Sequence, residues 1–279
     1  MPIPMTPGLV AELERAELRA WSDFYNAAPS PAVVACGLGL QEYGTAAAFR
    51  MSKVDVMVFN RVLGLGLDGP PSPSTLESII AGYEQALVPR FHLQLAPLVT
   101  LGPTMTAVTD LGFAPGSNWV RLVRDVGSPG PVPTKFRIEI VDRARAPLFA
   151  EVVCTGFGMD ESLALPVQAV VGTPGWHCYL AYDGDRPIAS AVLVVDGRVG
   201  WMGFATTLPE ARGKGAQSSL IARRILDART LGCELLSVET DEQTPAREAP
   251  SYRNILRAGF EVGYLRPNYL YKFQQRDGA

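Results

Sequence analysis

The sequence predicts a mixed α/β protein in which one pattern of helices and strands occurs twice. Segments that alternate apolar and polar residues are interleaved with longer segments of helical period in both halves of the chain. Gly112-Phe113 and Gly259-Phe260 each end a helical segment, and they lie about 150 residues apart, a common domain length. Between them, the prolines and glycines of residues 127–133 interrupt any helix or central strand. These observations predict two domains, at 1–126 and 135–279, joined by a linker at 127–134.

The first predicted domain opens with a helical segment and then alternates strands and helices. Ser72-Pro73-Ser74 is a helix start signal, because serine caps the first N–H groups and proline is tolerated in the first turn. Apolar residues with a helical period follow it. The helices are predicted at residues 8–27, 72–87 and 103–111, and the strands at 33–40, 45–51, 55–67, 90–95 and 119–126.

The second predicted domain repeats much of this order. Asp196-Gly197 is a hairpin dipeptide between two strand segments, and Gly232 is a typical stop signal for the long helix before it. The helices are predicted at residues 143–156, 163–171, 218–231 and 251–258, and the strands at 135–141, 176–182, 189–195, 198–207, 233–239 and 262–273.

The composition excludes several classes of protein. An apolar fraction of 47% with 19% charged residues excludes disorder caused by excess charge. A net charge of −3 makes nucleic acid an unlikely partner and gives no attraction to an anionic membrane. Four cysteines without a CxxC pair, and only two histidines, predict neither a disulfide framework nor a metal site. Without a leader or a membrane-spanning apolar segment, we expect a cytoplasmic protein.

The segment between the strand at 198–207 and the helix at 218–231 carries the clearest chemical signal. Gly213 and Gly215 let the backbone turn tightly, so that successive N–H groups converge on one point. The helix that follows adds its positive N-terminal end, and Arg212 and Lys214 add charge. Together they predict a site for a phosphate or pyrophosphate, the alternative being a plain strand-to-helix turn.

A second glycine pattern, at residues 64–69, does not predict such a site. It matches the GxGxxG spacing of dinucleotide-binding proteins, but Pro70 and Pro71 follow directly and have no N–H to offer a pyrophosphate. We therefore interpret it as the end of a strand.

The loop after residue 211 resembles the coenzyme A pyrophosphate loop of the GNAT N-acetyltransferase superfamily, whose pattern is Arg/Gln-x-x-Gly-x-Gly/Ala. Arg212 and Gly215 match it, and Gln217 departs from it at the last position. The resemblance covers residues 135–273 and, in outline, residues 30–126. It implies two tandem GNAT-like domains, each a mostly antiparallel mixed sheet flanked by helices. The first is degenerate, with Asp68 and three prolines where the loop should be.

The resemblance implies acyl transfer, with acetyl-CoA as co-substrate and no metal. The acceptor would be an amine of a small molecule or peptide that attacks the thioester directly. The protein would be a monomer or homodimer. The pantetheine arm would lie between the strands at 198–207 and 233–239, and its amides would pair with the backbone near residues 206–208. The implied coenzyme A-binding residues are Thr207, Leu208, Arg212, Gly213, Lys214, Gly215, Ala216, Gln217 and Ser218.

The catalytic residues are less well matched. In many GNAT members the general acid that protonates the leaving thiolate is a tyrosine four residues before the Gly-Phe pair. This chain has Ile255 there. Tyr252, one helical turn earlier, is the substitute, unless its role is packing. Glu239, at the end of a strand beside the cleft, is the predicted base, unless it is a solvated loop residue. Arg266, Asn268 and Tyr269 are expected to line the same cleft.

Two alternatives stay open at this stage. The same fold could use another acyl donor such as aminoacyl-tRNA, which the net charge of −3 disfavours. The chain could also be a non-catalytic acyl-CoA sensor or binding module, which Ile255 favours.

Overall fold

The computed structural model describes residues 2–95, 97, 103–130, 136–246 and 248–274. These residues form one mixed sheet of eleven strands with α-helices on both faces. The helices are α1 (Pro7–Asn26), α2 (Ser30–Cys36), α3 (Pro73–Gln85), α4 (Pro103–Asp110), α5 (Ala146–Phe157), α6 (Ala164–Ala169), α7 (Ala216–Thr230) and α8 (Pro250–Arg257). The strands are β1 (Leu38–Tyr43), β2 (Ala46–Met51), β3 (Arg61–Leu65), β4 (Arg90–Leu95), β5 (Ala114–Asp125), β6 (Arg137–Ile140), β7 (Trp176–Asp183), β8 (Arg186–Asp196), β9 (Val199–Thr207), β10 (Leu235–Asp241) and β11 (Glu261–Lys272). The predicted mixed α/β class is confirmed.

The sheet contains two parallel junctions, one in each half of the chain. The strands lie in the order β1-β2-β3-β4-β11-β5-β10-β9-β8-β7-β6. β3 pairs parallel with β4, and β9 pairs parallel with β10, whereas the other neighbours are antiparallel. A helix connects the strands of each parallel pair, α3 in the first half and α7 in the second, as a parallel connection requires.

The two halves exchange strands at the centre of this sheet. β5, from the first half, pairs with β10 of the second half, and β11, at the end of the chain, lies between β4 and β5. Each half therefore completes its part of the sheet with a strand from the other. The domain limits at 126 and 135 stay a prediction, and experiments on this protein require the whole chain.

The helices form two layers. α1, α2, α5 and α6 pack on one face of the sheet, and α3, α4, α7 and α8 pack on the other. Neighbouring residues of β9 show the alternation: Trp201 packs with α1 and α5, and Met202 packs with α7 and α8.

Two strand predictions are wrong in their extent. Residues 33–40 do not form one strand, because Pro31 lies in the first turn of α2 and Gly37 ends that helix in the left-handed conformation at φ +63°. The strand predicted at 55–67 is reduced to β3. Its first residues form turns around Asn60, whose side-chain amide donates to Val54 O at 2.8 Å and accepts from Met51 N at 2.8 Å.

Some predicted features lie outside the described residues. They are residues 131–134 of the linker, Lys135 at the start of the second domain, and residues 275–279. Within the described part of the chain, every helix is too short or too polar to cross a membrane.

Candidate functional site

A gap opens in the sheet between β9 and β10. The two strands pair only over Val199–Met202 and Leu235–Val238. Beyond that point the rest of β9 pairs with β8 alone, and the rest of β10 pairs with β5 alone. In the first half, by contrast, the pairing of β3 with β4 shifts register after Val62 but resumes at Leu65 and Leu95, where both strands end. The second half therefore has an opening between its parallel strands that the first half lacks.

A bulge in β9 accompanies this gap. The register with β8 shifts between Ser190 and Val192, and Phe204 lies opposite the shift with φ +47°, a conformation that non-glycine residues seldom adopt. The Phe204 ring packs against Trp21, Phe24 and other aromatic residues of the α1 face, which hold it in place. Pairing of β9 with β10 ends at Met202, directly before this bulge.

The loop predicted to bind phosphate lies at the N-terminus of α7. Gly213 and Gly215 have φ values of +76° and +93°, and Gly215 is the N-cap residue of the helix. No heavy atom lies within 4 Å of the position that a Cβ would occupy at either glycine. No side chain of a described residue caps α7, and the N–H groups of its first turn have no partner within the helix. This cradle fits an anionic diphosphate.

Two side chains of the loop region already hold the end of β9. Arg212 donates from Nε to Thr207 O at 3.2 Å and from Nη2 to Gly156 O at 3.0 Å, so it ties the loop to β9 and α5. Gln217 donates from Nε2 to Thr206 O at 2.7 Å. Arg212 therefore positions the loop, while Lys214 extends from it as an exposed cation.

The loop borders a cleft of about 750 Å³ between α7, α8 and the end of β9. Gln217, Ser251 and Asn254 line it with polar side chains, and the exposed Arg257 adds a positive charge. The other lining residues are Gly156, Phe157, Ala205, Thr206, Thr207, Ala211, Arg212, Gly213, Gly215, Ala216, Ser218 and Pro250. Seven of the nine residues predicted to bind coenzyme A thus lie around one cleft. Leu208 instead packs in the core on the α1 face, and Lys214 is exposed on the loop.

Glu239, the predicted base, lies in a buried group of charges on the α1 face. We call this group the ion cluster; it consists of Glu14, Glu17, Arg61, Arg121, Glu239 and Arg266. Arg61 Nη1 lies 3.0 Å from Glu239 Oε1, and Arg266 pairs with Glu239 Oε2. The Glu239 side chain is 11% exposed. Its position favours an ion-pairing role, and its role as a base stays a prediction.

The ion cluster joins four strands to one helix. Glu14 and Glu17 come from α1, and the arginines come from β3, β5 and β11. Arg266 Nη1 lies 2.9 Å from Glu14 Oε2 and 2.7 Å from Glu17 Oε2. The sequence analysis missed Glu14, Glu17, Arg61 and Arg121. The signal for Arg61 and Arg121 was present, because a charge inside an apolar strand is rarely buried unless it is paired.

Burial and ion pairing act in opposite directions on Glu17. Burial by itself would raise the pKa of its carboxyl group, but the guanidinium groups of Arg121, Arg266 and Arg61 outweigh burial and hold the pKa well below its usual value. Arg61 also lies over the rings of Trp21 and Trp119, at 4.6 and 5.0 Å from their centres. Glu17 is therefore held as a carboxylate in closely packed surroundings.

The side chains of α8 are placed differently from the prediction. Ser251 and Asn254 line the cleft, whereas Tyr252 does not and packs partly against the core of the second half. Ile255 is buried and lines a small cavity beside Met202 and Val238, where β9 and β10 separate. The role of Tyr252 as an acid stays a prediction, and packing is the role that its position favours.

The expectation for the C-terminal strand is wrong. Arg266, Asn268 and Tyr269 do not line the cleft, and Tyr269 packs against the core of the first half. Arg266 belongs to the ion cluster, and Asn268 is buried and bonded to Gln94 of β4 and to Ser117 O. The reason is the strand exchange, which moves β11 away from β10.

Comparison with known proteins agrees with this geometry. The model of the acetyltransferase (GNAT) family matches residues 155–251, which contain the end of α5, the gap, the loop and the beginning of α8. No curated protein matches the chain at a significant level.

Solved structures share the fold over most of the chain. A GCN5-related N-acetyltransferase from Kribbella flavida is 16% identical, with a TM-score of 0.63 over 96% of this chain and 97% of that one. A GCN5-related N-acetyltransferase from Sphaerobacter thermophilus is 15% identical, with a TM-score of 0.60 over 82% and 76% of the two chains. A conserved protein of unknown function from Staphylococcus epidermidis is 12% identical, with a TM-score of 0.58 over 84% and 93%. At these identities the likeness concerns the fold.

Proposed function

We propose that this chain, a member of the GNAT superfamily through residues 155–251, binds one acyl-CoA in the cleft between α7, α8 and the end of β9 and transfers the acyl group to an amine. Acetyl is the default acyl group, and the acceptor is a small molecule or a peptide. The observation that carries the proposal is the continuity of the site: an uncapped, glycine-rich helix N-terminus opens on a cleft that leads to the gap between β9 and β10.

The residues of the cleft suit the parts of coenzyme A. The N–H groups at the start of α7, with the exposed Lys214, would hold the diphosphate. The backbone of β9 at Thr206 and Thr207 would pair with the amides of the pantetheine arm. Gln217 now donates to Thr206 O, so its side-chain amide would give way when the arm binds.

Acyl-CoA supplies a thioester, whose carbonyl carbon an amine attacks with breakage of the C–S bond and release of the thiol. The chain has to orient the two reactants and to remove a proton from the acceptor ammonium. Glu239 is the base and Tyr252 the substitute acid that the sequence predicts, but neither lines the cleft, and their contacts favour ion pairing for Glu239 and packing for Tyr252. Ser251, Asn254 and Arg257 are the α8 side chains that can hydrogen-bond to a group in the cleft.

Release of free thiol tests the function directly. The whole protein is incubated with acetyl-CoA and a panel of amines, and free thiol is measured over time. We expect amine-dependent release that exceeds the hydrolysis seen without an acceptor. No release with any amine, in a protein that binds acetyl-CoA, would contradict acyl transfer.

A second candidate is a non-catalytic acyl-CoA-binding module. It is favoured by Ile255, which cannot donate a proton, and by the ion pairs that occupy Glu239. A single-turnover experiment separates the two, since a sensor binds acyl-CoA tightly and leaves its thioester intact with every amine.

Tyr252→Phe tests the proposed acid. A positioned general acid contributes about 10²–10⁴-fold to the rate. Because the phenol lies outside the residues that line the cleft, we expect kcat to stay close to the wild-type value. A fall within the range above, with unchanged thermal stability, would instead assign the acid to Tyr252.

Calorimetry on the whole chain should give one coenzyme A per chain. The first half keeps β3 and β4 paired, and Asp68 with the prolines that follow it offers neither the N–H groups nor the charge that a diphosphate needs. A stoichiometry of two would contradict the assignment of the first half as degenerate.

A further inference from the structure

Arg224 is a buried arginine without an acidic partner among the described residues. It lies on α7 and is 1% exposed. Its Nε donates to Leu220 O at 3.1 Å and its Nη1 donates to Val192 O at 3.1 Å, whereas no hydrogen bond joins Nη2 to a described residue. Among the residues that the structure describes, no carboxylate forms an ion pair with it. Burial lowers the pKa of Arg224 to about 9, so the group is still charged at neutral pH.

Arg224 lines a small cavity at the inner end of the cleft. This cavity of about 50 Å³ is bordered by Met202 and Val238, the last pair of residues before β9 and β10 separate. It shares four lining residues with the large cleft, Ala205, Gln217, Ser251 and Asn254, so the two spaces adjoin. The remaining lining residues are Ile221 and Ile255, so Arg224 is the one charged residue among those that line it.

Burying a cation costs free energy, and an anion that pairs with it offsets this cost. We propose that the cavity receives the terminal carboxylate of an acyl group, so that the preferred donor is the CoA thioester of a short dicarboxylic acid such as malonyl-CoA or succinyl-CoA. This inference rests on the proposed function, because it places the acyl end of the thioester at the inner end of the same cleft. The small cavity accommodates a short acid and excludes a long acyl chain. A carboxylate there accepts a charge-assisted hydrogen bond from Arg224.

Arg224 also has a structural contact that the test has to separate from this role. Its bond to Val192 O lies where the register between β8 and β9 shifts, so the side chain supports the bulge in β9. If Arg224 only supports the bulge, its substitution should change the affinity for all CoA compounds by the same factor. If it binds a carboxylate, its substitution should change the affinity for carboxylated thioesters more than the affinity for acetyl-CoA.

The experiment compares the affinities of the whole protein for coenzyme A, acetyl-CoA, malonyl-CoA and succinyl-CoA by calorimetry. The wild type should bind at least one carboxylated thioester about tenfold or more tightly than acetyl-CoA, as expected for a charge-assisted hydrogen bond. Arg224→Gln should abolish this preference, and Arg224→Lys should keep part of it. Arg223→Gln is the matched control. Arg223 is next to Arg224 in the sequence, but it pairs with Asp227 and lines neither the cavity nor the cleft. The preference for carboxylated thioesters should therefore persist in this variant.

Two results would overturn the proposal. If the wild type binds acetyl-CoA as tightly as both carboxylated thioesters, the cavity does not receive a carboxylate, whatever the variants do. If Arg224→Gln weakens all four compounds equally, Arg224 only supports the bulge. Failure of every CoA compound to bind the folded wild type is a distinct result, which would reject the proposed function together with this inference.

Discussion

Gly215→Val is expected to weaken binding of coenzyme A more than tenfold while the protein stays folded. Gly215 is the N-cap residue of α7 at φ +93°, a conformation that a β-branched residue adopts only with strain. Relief of that strain would turn the N–H groups away from the diphosphate, and the new side chain would occupy space at the loop. Loss of hydrogen bonds to a charged group costs about 1.5–3 kcal/mol, which is tenfold or more in affinity.

Calorimetry with coenzyme A and a thermal unfolding curve measure the two parts of this prediction. Gly184→Val is the matched control, since Gly184 has φ +62° in a hairpin turn, has open space around its Cβ position, and does not line the cleft. The Gly184→Val variant should carry the same kind of backbone strain and still bind coenzyme A as tightly as the wild type. Unchanged affinity in a folded Gly215→Val variant would place coenzyme A elsewhere.

Glu17→Gln is expected to be the most destabilising of the substitutions considered. Glu17 is 1% exposed and pairs with Arg61, Arg121 and Arg266. The substitution leaves three buried guanidinium groups with two carboxylates. Removing one partner of a buried ion pair typically costs about 3–5 kcal/mol. Urea denaturation of the whole protein measures the change in the free energy of unfolding.

The pH dependence of stability provides an independent test of the same cluster. Burial opposes ionisation of Glu17, but its three arginine partners hold the pKa of the folded state below the unfolded value. A lowered pKa adds stability above the unfolded pKa, about 4.3 for glutamate, and that stability is lost as the pH falls towards the folded value. The free energy of unfolding should therefore decrease as the pH falls from about 5 to 3, and less steeply in Glu17→Gln.

Glu12→Gln is the control for both measurements. Glu12 lies on the same helix and pairs with Arg198 at the surface, where solvent screens the charges. It should change the free energy of unfolding much less than Glu17→Gln and leave the acid slope as in the wild type. Equal effects of the two substitutions would mean that the ion cluster contributes nothing special to stability.

Local signals predicted most of the elements and the phosphate-binding loop. α1, α3 and α7 were predicted from apolar periodicity, and the loop from Gly213 and Gly215 before a helix. These features depend on residues within a few positions of one another. The errors also arose locally: α2 is a single short helix between Pro29 and Gly37, and β3 is shorter because Asn60 binds the backbone of the preceding turns.

The roles of the single polar residues were much less predictable. Glu239 has the chemistry of a base and the position of a strand end, yet its partners Arg61 and Arg266 are distant in the sequence. Arg224 looks in the sequence like any other charge on an amphipathic helix. Only packing shows that it is buried and that no acidic residue in the described part of the chain pairs with it.

The sequence by itself determined the mixed α/β class, the order of the elements and the glycine loop before α7, because hydrophobic period, caps and turn residues act over short distances. The tertiary structure alone decided which strands became neighbours, since the exchange of β5 and β11 depends on pairing between residues more than a hundred positions apart. That exchange placed Arg121 and Arg266 beside Glu17 and Glu239, and it removed β11 from the cleft. The sequence determines the chemistry of each side chain, but these long-range strand pairings determine whether a charged side chain lies next to an anion, a cation or neither.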